Sequence, residues 1–146
     1  MLFKNAMKNE TDNEITDFTV YPLEGFWEKV NGAELDKNKL EYTLMIKQPD
    51  FITQELFAEA LENVKKKKPN DLYEEIDFQK IEDGKSIQML HVGSYDDELQ
   101  SFERMDQFAS ECKLTRTDDF HREIYLSNKN RTSEEKQKTI LRDSVK

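Results

Sequence analysis

The 146-residue sequence predicts an α+β fold: an antiparallel sheet with helices packed on one face. Three observations lead there. Two stretches repeat apolar residues at helical spacing. Around them lie strand-length apolar runs, in the order strand, strand, helix, strand, strand, helix, strand, strand. Asp83-Gly84, a turn dipeptide between the third and fourth runs, predicts a hairpin.

The first two strands are expected over 18–27 and 40–48, with Pro22 marking an edge or a bulge. The first helix follows, with Leu56, Phe57, Ala60, Leu61 and Val64 on one side, Thr53 placed to cap it and Glu55 in its first turn. Lys65, Lys66, Lys67 and Lys68 close this helix, where cations meet the negative end of its dipole, and Pro69-Asn70 stops it. Strands over 73–81 and 86–93 flank the Asp83-Gly84 turn. A second helix, from about Asp97 to Cys112, places Leu99, Phe102, Met105, Ala109 and Cys112 on one side, with Asp97 available to cap it. Runs over 120–127 and 138–145 complete the sheet, and the polar stretch Asn9 to Glu14 reads as a turn or mobile loop.

Length and composition fit one soluble domain, 36% hydrophobic and 36% charged. No window approaches the roughly 20 apolar residues that cross a bilayer, and the opening Met-Leu-Phe-Lys-Asn-Ala-Met-Lys lacks the apolar centre of a signal peptide, so the expected location is cytoplasmic, with no membrane partner. A net charge of −9 argues against a general nucleic-acid binder. Residues 128–146 carry a local charge of +3, with acids interleaved among the bases as on a solvated surface. Cys112 is the single cysteine, which rules out an internal disulfide and, on an apolar helix face, points to the core. Gly25 and Gly93 at strand ends, Gly84 in the hairpin and Gly32 in a loop build no phosphate-binding glycine loop.

Three stretches could carry chemistry. In His121-Arg-Glu-Ile-Tyr-Leu-Ser127 the period of two places His121, Glu123, Tyr125 and Ser127 on one face, and Ile124 and Leu126 on the other. A carboxylate held among such neighbours is costly unless it is paired, hydrogen-bonded or protonated, which points to a ligand or a reaction at Glu123. Tyr21-Pro-Leu-Glu-Gly-Phe-Trp27 combines Glu24 with the only tryptophan: either Trp27 offers a flat face to an aromatic or cationic ligand while Glu24 neutralises its charge, or Trp27 is core and Glu24 a turn acid. In Met89-Leu-His-Val-Gly-Ser-Tyr95, Met89 and His91 share a face, and Tyr95 can present its hydroxyl to a cavity mouth. His91 and His121 are the only histidines; a metal site would need Glu123 or Glu24 as well, and hydrogen-bonded structural histidines are the simpler reading, so neither metal nor cofactor is expected. No Ser-His-Asp or Cys-His arrangement is present.

Taken together, YPLEGFW, MIKQPDF, KKKKP, IQMLHVGSYDDE, HREIYLS and KTILR resemble, in order, the GyrI-like small-molecule-binding family, which includes effector-binding domains of multidrug-responsive regulators. The resemblance runs from about Phe18 to Val145. It implies a pseudo-twofold pair of strand-helix-strand-strand (SHS2) modules with a ligand cleft between them, an acid in the cleft and aromatic walls. Residues 1–146 then form one domain, with 18–48 as remnant strands of an incomplete first module, 53–81 a connecting helix and strand, and 86–145 a complete second module. The family's acidic strand position falls on Glu123, its Gly-x-Tyr tyrosine on Tyr95, and its Pro-Leu-Glu-Gly-x-Trp pair on Glu24 and Trp27, which turns the reading of Trp27 toward the ligand. The strand and helix that precede this hairpin in the family are expected to be missing, and Asp143-Ser144 departs from an aromatic or imidazole followed by proline.

Some relatives resemble hydrolases that open the cyclopropane of DNA-alkylating natural products. The resemblance thus implies a bulky aromatic or cationic small-molecule ligand, with Glu123 and Tyr95 catalytic and Trp27, Glu24, Met89, His91, His121 and Tyr125 lining the site. A non-catalytic sequestering or effector-binding module, working with a separate transcription regulator, uses the same residues. A homodimer that completes the cleft is a third expectation.

Overall fold

The computed structural model describes residues 18–28 and 42–146. The expectations for Asn9 to Glu14, for Gly32 and for the start of the second strand at 40 lie outside these residues. The described chain divides into two compact units, one of residues 18–21 and 48–81, the other of residues 22–28, 42–47 and 82–146. Among the described residues no helix is long and apolar enough to cross a membrane.

The first unit holds helix α1 (Gln54–Lys67). Thr53 caps it as expected, its hydroxyl accepting the Leu56 amide at 3.2 Å. Beyond Pro69 the chain does not form the strand expected over 73–81. Asn70 captures the Leu72 amide at 2.9 Å and starts a 3₁₀ turn, Asp71–Glu75, and irregular backbone then runs to Lys85. The side-chain cap engages backbone that a strand ladder would need, and Ile76 and Ile81 stay exposed. Within this unit Phe18 meets Phe51 edge to face, and Phe57 stacks on Phe78.

The second unit is an antiparallel sheet of five strands: β1 (Leu23–Glu28), β2 (Tyr42–Ile46), β3 (Ser86–Val92), β4 (Phe120–Tyr125) and β5 (Lys138–Ser144), in the order β2-β1-β4-β5-β3. With helix α2 (Glu98–Glu111) between β3 and β4, residues 86–144 run strand, helix, strand, strand. The fold is the expected α+β class. The Asp83-Gly84 hairpin is absent, because β3 pairs with β5. Gly84 still turns the chain, with φ of 62°, while Asp83 is tied to the sheet by arginines.

Strand alternation sorts the side chains. Ile87, Leu141 and Val145 meet Met105 and Ala109 of α2 in the core, with Met89, Phe102 and Leu114 packed around them. Leu141 is fully buried, a contribution of about 1.5–3 kcal/mol relative to exposure. The buried stripe of α2 is Glu98, Ser101, Met105 and Ala109, which corrects the expected one: Leu99 is 59% exposed and Cys112 lies on the surface. Asp97 provides no side-chain cap either; its carboxylate accepts from the Ser94 hydroxyl at 3.1 Å. The helix ends in a Schellman motif, Leu114 N to Ala109 O at 2.8 Å and Lys113 N to Ser110 O at 3.1 Å, with Lys113 at φ 57° where glycine is usual. The Asp-Ser departure leaves β5 intact. Asp143, fully buried on the core face, faces Arg116 at 3.2 Å.

Candidate functional site

The face of the sheet that α2 packs against carries His121, Glu123 and Tyr125 of β4, as alternation predicted. Antiparallel register sets Gly25 of β1 opposite Glu123 and Trp27 opposite His121, so these residues share that face. Glu123 is 6% exposed and is held from both sides. His121 Nε2 lies 2.8 Å from Oε1, and the Tyr125 hydroxyl donates to Oε2 at 2.8 Å. The indole N–H of Trp27 in turn donates to the Tyr125 oxygen at 2.8 Å. A neutral His121 therefore carries its proton on Nε2, leaving Nδ1 buried with no hydrogen-bond partner among the described residues.

Gly25 makes this chain of bonds possible. A methyl group there would stand 2.8 Å from Trp27 Nε1 and 3.2 Å from the Tyr125 oxygen, on the path of their bond. Burial, then the charge of Glu123 and the bond to it, push the Tyr125 hydroxyl far above its ordinary value. It remains a donor to Glu123 well into the alkaline range. Phe102 of α2 packs edge to face on the His121 ring at 4.6 Å, and Tyr95, in the 3₁₀ turn that leads into α2, meets the Tyr125 ring edge on at 6.0 Å. The Tyr95 hydroxyl is also raised, first by burial and then by the charges of Glu98 and Glu123.

Glu98 is thus a second buried carboxylate at the site, and the sequence reading missed it. A glutamate in the first turn of a helix reads as a partner of the helix dipole, which hides any other use. Its signal was position: three residues after Tyr95, at the mouth of the helix that follows the Gly-x-Tyr motif.

Beside the acid lies an exposed aromatic and aliphatic shelf. Trp27 stacks on its cross-strand partner Tyr42, ring centroids 4.9 Å apart and planes 28° from parallel. Leu44 pairs with Gly25 and Ile46 with Leu23, extending the same face. Tyr42 is 58% and Leu44 53% exposed, an apolar surface with a polar, hydrogen-bonded floor at one edge.

Three expected site residues stand apart. Glu24 projects from the opposite face of β1, where Arg122 approaches it at 3.7 Å; Arg122 also pairs with Asp83 at 2.6 Å and lies over the Phe26 ring. His91 is buried and spent on structure, with Nδ1 2.8 Å from the Ser101 hydroxyl and Nε2 2.8 Å from the Ser94 carbonyl. The carbonyl only accepts, so Nε2 carries the proton and this ring staples β3 to α2. Met89 pairs with Leu141 and packs on the core. Among the described residues no group of three or more His, Cys, Asp or Glu is placed to hold a metal ion.

Comparison with known proteins places the fold. The chain is similar to the crystal structure of an uncharacterized conserved protein from Listeria innocua, with a TM-score of 0.90 and 35% identity over 99% of this chain and 74% of that one. It is similar also to two structures described as hydrolases from Listeria innocua: TM-score 0.85 at 32% identity and TM-score 0.86 at 34% identity, each over 99% of this chain and 75% of the other. No curated protein matches it. A family profile, the GyrI-like small molecule binding domain, matches residues 2–142, and with these structural relatives it establishes that the chain belongs to that family.

Proposed function

We propose that this face of the sheet binds bulky aromatic compounds against Trp27 and Tyr42, and that Glu123 directs water onto cyclopropane-bearing, DNA-alkylating ones, a detoxifying hydrolysis in the cytoplasm. The observation that carries this reading is a buried carboxylate fixed on both oxygens beside an exposed aromatic shelf. The hydrolase descriptions of two similar structures support it.

The chemistry asks little of the protein. A cyclopropane fused to a dienone is strained and electrophilic, so positioning one water and one base suffices. The water oxygen bonds to a ring carbon as the carbon–carbon bond breaks, and that electron pair passes through the dienone to the carbonyl oxygen. Glu123 takes the water proton, His121 and Tyr125 hold the carboxylate in place, Tyr95 donates a hydrogen bond toward the developing charge, and the proton reaches the carbonyl oxygen through solvent. The product has gained one water.

Incubation with such an alkylator, followed by mass spectrometry, reads that gain directly. In Glu123→Gln the amide can donate to His121 Nε2 once the ring changes tautomer, so the fold survives and turnover is lost while binding remains. Normal hydrolysis by this variant would remove Glu123 from the reaction. A second reading, capture without chemistry, is favoured by the exposed aromatic and aliphatic shelf, which offers stacking area whether or not Glu123 reacts. Tight binding with no mass change selects it.

A further inference from the structure

Lys129 is an exposed residue in the turn that follows β4, and hydrogen bonds fix the backbone of that turn. Asn128 Oδ1 accepts the Asn130 amide at 2.9 Å, and the Asn128 carbonyl accepts the Arg131 and Thr132 amides at 3.0 Å each. At the base of the turn, Ser127 Oγ accepts the Lys138 amide at 2.8 Å. From this fixed backbone the ammonium reaches to 5.6 Å from the centroid of the Tyr95 ring, within cation–π range. Behind Tyr95 stands Tyr125, and beyond its hydroxyl lies Glu123. The site is therefore polarised, with carboxylates at its floor and a positive charge on the aromatic wall.

We propose that Lys129 is a specificity-determining residue of the cleft, set against the end of the ligand that carries or gains negative charge, so that conjugated carbonyl compounds are preferred over aromatic cations. This rests on the reading of Glu123 as the residue that directs water. In that reaction the electron pair of the broken carbon–carbon bond arrives on the carbonyl oxygen. The Lys129 ammonium stabilises it there and gives it a proton, which returns to Lys129 from Glu123 through solvent, so the net change is addition of one water. An aromatic cation laid on the same wall meets a like charge instead.

Calorimetric titration of the full chain with two probes tests this: chalcone, a neutral aromatic enone, and tetraphenylphosphonium, an aromatic cation. Lys129→Met weakens chalcone binding by about two- to five-fold and tightens tetraphenylphosphonium by a similar factor, and Lys129→Arg restores both. Opposite shifts cannot come from a loosened fold, which would weaken both probes. Unchanged affinities, or shifts in the same direction, overturn the role of Lys129. Turnover of a cyclopropane-bearing alkylator on the same samples separates the two proposals. Turnover without the opposite shifts removes Lys129 alone; opposite shifts without turnover in the wild type remove the hydrolysis and leave the charge selection standing.

Discussion

Replacing Tyr125 by Phe tests the hydrogen-bond chain at its centre. The ring and its edge contact with Tyr95 remain, while two bonds of 2.8 Å are lost, one from the Trp27 indole and one to the Glu123 carboxylate. A neutral bond of this kind contributes about 1 kcal/mol and one to a charged group about 1.5–3 kcal/mol. With both bonds only part-buried, the expected loss is about 2–3 kcal/mol, or roughly 6–9 °C in melting temperature for a chain of this size. That is within the margin of a typical domain, so the variant folds. Trp27 is the sole tryptophan, and its emission reports the site without a label. Freed from Tyr125, the indole N–H turns to water and the emission shifts to the red. Urea denaturation and the emission spectrum measure both effects, and a double-mutant cycle with Glu123→Gln gives a coupling of about 1 kcal/mol or more. Stability within about 0.5 kcal/mol of wild type, with unchanged emission, would refute the hydrogen-bond chain.

Gly25→Ala places a methyl 2.8 Å from Trp27 Nε1, so the indole leaves Tyr125; a loss of about 1–3 kcal/mol and the same red shift are expected in the same two assays. Lys113→Gly relieves a left-handed backbone at the end of α2 and raises stability by up to about 1 kcal/mol, read as a higher urea midpoint with unchanged slope. The raised Tyr125 hydroxyl gives an alkaline signature. The unfolded chain loses this proton near pH 10 and the folded chain holds it, so the folded state binds more protons there and stability falls as pH rises above about 10. Tyr125→Phe flattens that fall in melting curves taken between pH 9 and 11; an equally steep fall in both proteins counts against it.

Much of the candidate site's placement was legible because alternation is a strict rule. His121, Glu123 and Tyr125 share a face for the reason the sequence suggested, and the helical repeats gave both helices to within a residue or so at each end. Parity along β1 also held information that went unused: Glu24 and Trp27 are three residues apart, an odd number, and a strand sends them to opposite faces. His91 and Met89 show where alternation alone stops. Alternation gives the face, but whether α2 covers that part of it depends on tertiary packing. The missing strand over 73–81 failed for a local reason, a side-chain cap at Asn70 winning over a run of apolar residues that had no neighbouring strand to pair with. Glu98 was hidden because its place in the first turn of α2 already accounts for an acid there.

The exposed thiol of Cys112, at the end of α2, has a use that its expected burial would have denied it. It is the single cysteine, as Trp27 is the single indole, so the unmodified chain contains one energy-transfer donor on the aromatic shelf and one attachment point for an acceptor. A thiol-reactive acceptor turns the spacing between β1 and the far end of α2 into a spectroscopic ruler. The same ruler registers, as a loss of donor emission, any molecule that lies down on Trp27.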